Sequence, residues 1–72
     1  MKTLTYEVTN LGNGLTRTMS NYAVRVIVNS NDSAKAAENF KKIDDLQVND
    51  SVKLTDNYGS TGGGEIIVER VS

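Results

Sequence analysis

Seventy-two residues without Cys or His leave room for one domain and exclude disulfide staples, thiolate chemistry and imidazole-held zinc. A formal net charge of −1 excludes a global electrostatic pull toward nucleic acid or an anionic membrane. The charge is divided along the chain, with six basic against three acidic side chains in residues 1–42 (net +3) and two against six in residues 43–72 (net −4).

Thr3 to Thr9 alternates Leu4, Tyr6 and Val8 with Thr5, Glu7 and Thr9, the period of a half-buried antiparallel strand. Asn10 to Gly14 reads as a loop, because its Asn13-Gly14 step tolerates positive φ. Leu15 to Met19 alternates again and completes a hairpin. Tyr22 to Val28 sets Tyr22, Val24, Val26 and Val28 against Ala23, Arg25 and Ile27. β-branched residues at both parities predict a central strand covered on each face.

Asn29 to Ser33 is dense in helix-capping side chains, with Ser30, Asn31 and Asp32 all able to accept from unpaired backbone N–H groups. Ala34 to Lys42 follows with helix formers, and Ala36, Phe40 and Ile43 share one face. Glu38 and Lys42 form an i, i+4 pair, and Lys41 and Lys42 suit the helix C-terminus. A turn at Asn49-Asp50 leads into a short strand, Ser51 to Thr55, with Val52 and Leu54 inward. Residues 56–64 form a Gly-rich loop, and Glu65 to Val71 closes the chain as a strand.

The expected architecture is a single α+β domain over residues 1–72: an antiparallel sheet in the order β-β-β-α-β-β with one helix packed on one face. The alternative is a small barrel. Leu46 to Leu54 resembles the Val-Gly-Asp-x-Val entry of Src-homology-3-like β-barrels, with Asn49 where the glycine stands.

Gly62-Gly63-Gly64 joins two predicted strands with no Gly-Lys-Ser/Thr step, so it is read as a hairpin loop and not as a phosphate cradle. The oxygen ligands Asp44, Asp45, Asn49, Asp50, Asp56 and Asn57 lack calcium-loop spacing. Ser and Thr are plentiful, but no His stands by as a base. The sequence therefore points to no enzyme, no metal site and no cofactor. Met1 to Tyr6 lacks a signal-peptide apolar core, and no apolar run approaches a membrane span. A cytoplasmic location without membrane association is expected.

What remains is binding. Tyr6 and Tyr22 share parity with core residues and are expected inside, whereas Tyr58 sits in a polar loop with no core to join. Loop tyrosines offer large contact area at low entropic cost, although such a ring can also tuck onto its own hairpin. The candidate partner-binding residues are Tyr58 with Asp56 and Asn57, and a polar sheet face carrying Arg17 and Arg25. In size, composition and element order the chain is similar to small phage or mobile-element proteins. These include anti-CRISPR and other host-takeover inhibitors. That resemblance implies a non-catalytic protein-binding module acting by steric occlusion of a host protein. The alternatives are a weak nucleic-acid-binding domain and a structural subunit that self-assembles into a homo-oligomer through an exposed edge strand, either Thr3–Thr9 or Glu65–Val71.

Overall fold

The computed structural model describes residues 4–59 and 64–72. Thr3 of the expected first strand and Ser60 to Gly63 of the expected loop, with Gly62 and Gly63 of the glycine run, lie outside the described residues. β1 (Thr5–Asn10) and β2 (Thr16–Ser20) form the predicted antiparallel hairpin, with Tyr6 opposite Met19 and Val8 opposite Arg17. At its turn Gly14 N donates to Asn10 O, and Asn10 N donates to Leu15 O. Gly14 and Leu15 thus oppose one residue. This is a bulge whose first position is left-handed, which Gly14 adopts at φ 75° without a Cβ clash.

The next segment corrects the sequence reading. Tyr22 to Val28 is not a strand but most of helix α1 (Asn21–Val28), started by Ser20, whose hydroxyl accepts from Ala23 N. Its buried residues are Val24, Ile27 and Val28, spaced i, i+3 and i+4, while Tyr22 and Val26 face outward. Val24 and Val28 fit both the strand period and the helix period, so a short apolar run leaves the choice to tertiary packing. A helix places Ile27 in the core with them, which a strand cannot do.

Helix α2 (Ser33–Asp44) follows, with Asp32 as the cap: its Oδ1 accepts from Ala34 N and Lys35 N. Ala36 and Ile43 are buried and Phe40 packs half-buried against the core. The expected Glu38–Lys42 ion pair forms at 3.2 Å. A tight turn then closes with Asp50 N donating to Gln47 O, and Asn49 adopts φ 76°. A positive φ at the third turn residue is type II geometry. Asn49 N donates to Arg70 O and Arg70 N to Asp50 O, so a second bulge opens β3 (Ser51–Asp56) against β4 (Gly64–Arg70).

The described residues therefore run β-β-α-α-β-β, an α+β fold with two helices in place of the single helix expected. The sheet order is β2-β1-β4-β3, antiparallel throughout. β1 and β4, the two strands expected to offer an exposed edge, are instead central and paired on both sides, and the edges are β2 and β3. No pairing between β2 and β3 closes it into a barrel among the described residues. One face is the core floor, built from Tyr6, Val8, Leu54, Ile66 and Val68, and both helices cover it. The other face carries Thr5, Glu7, Thr9, Thr16 and Thr18 with Lys53, Glu65, Ile67 and Glu69. The helix–sheet junction is tied by Asn21 Nδ2, which donates to the hydroxyl of buried Tyr6 at 3.1 Å.

The two readings of residues 22–28 predict opposite responses to truncation. In the helix, Val24→Ala costs about 2 kcal/mol and Val26→Ala less than about 0.5 kcal/mol. A strand with Val24 and Val26 on one face would lose similar amounts at both. Urea unfolding of the two variants decides between them. At the turn, Asn49→Gly is expected to be near neutral and Asn49→Val to cost on the order of 1–2 kcal/mol, because a β-branched residue is strained at positive φ. The same unfolding measurement reads this difference.

Candidate interaction surface

The C-terminal end of α1 exposes carbonyls that no further helical turn can satisfy. Asn39 Nδ2 from α2 and Asn57 Nδ2 from the end of β3 both donate to Val28 O at 3.0 Å, and Asn57 N donates to Ile27 O at 2.8 Å. Three elements thus meet at one carbonyl. One residue earlier, buried Asp56 accepts from Tyr58 N at 3.0 Å and Gly59 N at 2.7 Å. These bonds fix the backbone on which Tyr58 stands, and its side chain remains 58% exposed.

Tyr58 stands at a recess of about 190 Å³ lined with Asn29, Ser30, Asn31 and Asn57. Ser30 and Asn57 also line a groove of about 440 Å³ between α2 and β3. Lys35, Glu38 and Lys42 from the helix and Lys53 and Leu54 from the strand border that groove. Tyr58 and the groove therefore form one continuous surface. Its cations are Lys35, Lys42, which pairs with Glu38, and Lys53, which pairs with Glu65 at 2.7 Å.

The structure brings Tyr58, Asn57 and Asp56 together and gives them separate jobs. Tyr58 is the accessible ring, while Asn57 and Asp56 are spent largely on backbone bonds. Arg17 and Arg25 do not join them, nor do they share a sheet face. Arg17 lies exposed on β2, the far edge strand, opposite Val8 and hence on the helix-covered side. Arg25 belongs to α1, where it bonds Asn21 Oδ1 at 2.8 Å, pairs with Asp44 and lies 5.1 Å from the Phe40 ring centre. It clamps α1 to the end of α2.

Sequence reasoning missed two features. Tyr22, expected inside, is 78% exposed on the outer side of α1 beside Val26. The i, i+4 spacing of these two was the available signal once a helix is assumed. Lys35 carried no sequence signal, and Lys42 only that of a helix-end charge paired with Glu38, yet their spacing of seven puts both on the side facing β3. Among the described residues, no three His, Cys, Asp or Glu side chains gather as a metal site, and no helix is long and apolar enough to cross a membrane. No family model, curated protein or solved structure matches this chain.

The division between anchoring and contacting residues is measurable. Asn57→Ala, which strips an amide from the Val28 carbonyl, is expected to destabilise by about 1–2 kcal/mol. Tyr58→Ala should stay within about 0.5 kcal/mol, as for an exposed side chain without a structural bond. Thermal unfolding of the two variants side by side tests this.

Proposed function

We propose that this chain is a non-catalytic protein-binding domain whose contact surface runs from Tyr58 along the α2–β3 groove. The observation that carries the reading is the posture of Tyr58. Its ring is exposed, but its backbone is held by Asp56 and, through Asn57, by the end of α1. An aromatic anchor that is already ordered loses little entropy on association, which is how hot-spot residues deliver affinity. The adjoining groove is shallow and bordered by charged side chains, features that suit a polypeptide better than an enclosed small molecule. Function by occlusion follows: the domain covers a segment of a partner and denies it to others. An inhibitor of phage or mobile-element origin acting on a host protein is the biological form of this reading.

Tagged wild-type protein and Tyr58→Ala are to be compared in affinity capture from bacterial lysate. The expected outcome is one or a few proteins retained reproducibly by the wild type and lost, at least tenfold, with the alanine variant. Repeated capture of no specific protein, or equal capture by both, would reject the reading.

A further inference from the structure

Resting on the protein-binding reading above, we propose that β3 is the receiving edge for an added strand. An extended, acidic segment of a partner protein pairs with β3 in the α2–β3 groove and becomes the fifth strand of the sheet. The second bulge sets the phase of the β3–β4 ladder. Because Asp50 O accepts from Arg70 N, alternation along an antiparallel pair turns the N–H and C=O groups of Val52, Leu54 and Asp56 toward β4. Those of Ser51, Lys53 and Thr55 point the other way, into the open edge. Among the described residues, no hydrogen bond occupies them. Such a row of donors and acceptors is a template for strand addition.

The two edges of the sheet are not equivalent. β2 runs without a loop into α1, and its last residue is already the helix cap. β3 instead borders a groove, with Leu54 at the strand side and Lys35 and Lys42 on the facing helix. On the helix side of the groove two lysines, Lys35 and Lys42, stand against one glutamate, Glu38, while Lys53 pairs with Glu65 on the helix-free face. Pairing of β3 with β3 of a second copy would bring two such lysine sets together, and like charges at close range oppose it. A segment with carboxylates on the side facing α2 meets the opposite charge there. Six residues of β3 at about 3.3 Å each define a contact for roughly five or six partner residues. The Tyr58 ring lies just past one end of that contact.

The probe is a capped, fluorescein-labelled peptide of sequence Thr-Glu-Val-Glu-Val-Glu-Thr, followed by anisotropy and by amide NMR of the protein. Saturable binding is expected, with the Ser51, Lys53 and Thr55 amides gaining protection from exchange. Roughly tenfold or greater weakening is expected for the double variant Lys35→Glu, Lys42→Glu and for a peptide with Lys in place of Glu. Thr55→Pro should remove binding while circular dichroism stays unchanged, because the ring deletes an outward N–H and spares the β3–β4 ladder. A peptide N-methylated at alternate residues tests the backbone pairing with the protein unaltered, and should not bind.

Several results overturn strand addition: no saturable binding, undiminished binding of both N-methylated registers, or protection confined to Tyr22 and Val26 or to Tyr58. Displacement of the peptide by single-stranded DNA, or protection of the same amides by self-association, overturns it equally. Amide exchange on the complex with a captured lysate protein separates the two readings. Protection elsewhere on the surface removes the fifth strand and leaves protein binding intact, whereas failure to capture any protein removes the broader reading.

Discussion

Everything in this fold hangs on the pairing of β1 with β4, the strands nearest the two ends of the described chain. Their antiparallel register sets Val8 opposite Val68, and these side chains with Tyr6 and Ile66 make the floor of the core. Without that long-range pairing the β1–β2 and β3–β4 hairpins would each be too small to bury an apolar face. With it, one floor exists on which both helices settle. Arg70 extends the closure, since its Nη1 donates to Leu46 O and ties β4 to the segment that leaves α2.

A floor covered on one side divides the protein into two unlike faces. Toward the helices the packing is apolar, and no buried side-chain polar atom lacks a partner among the described residues. Away from them the sheet is rich in Thr, with the Thr9 and Thr16 hydroxyls 2.9 Å apart and Glu7 directly opposite Glu69. Adjacent carboxylates cost a little where they stand. On the covered face the helices are short, so their ends matter. The Val28 carbonyl, bonded from α2 and from β3, is where an unfinished helix end becomes a structural junction. That junction holds the Tyr58 turn at a set distance from the groove.

The proposed mode of binding follows from a feature every open sheet shares. Edge strands carry unpaired backbone groups that must be shielded, repelled or used. In the proposed mode, Lys35 and Lys42 on α2 beside the β3 edge would discourage pairing between identical chains and favour a partner of opposite charge.

Local chemistry was sufficient for much of this structure. The Asn13-Gly14 turn, a helix cap among Ser30, Asn31 and Asp32, the α2 stripe through Ala36 and Ile43, and the alternating strands were legible because each depends on near neighbours. The exposure of Tyr58 was left open by the sequence, because a tyrosine in a polar loop can stand free or fold onto its own hairpin; the structure leaves it exposed. The identity of residues 21–28 was not legible, because Val24 and Val28 satisfy two periods at once, and the sheet floor alone rewards burying Ile27 beside them. Strand order, the scattering of Arg17 and Arg25 to different elements, and the meeting of Lys35 and Lys42 with β3 were beyond the sequence too. They arise from contacts between segments far apart in the chain, so tertiary structure decided the surface, while the sequence determined the pieces that compose it.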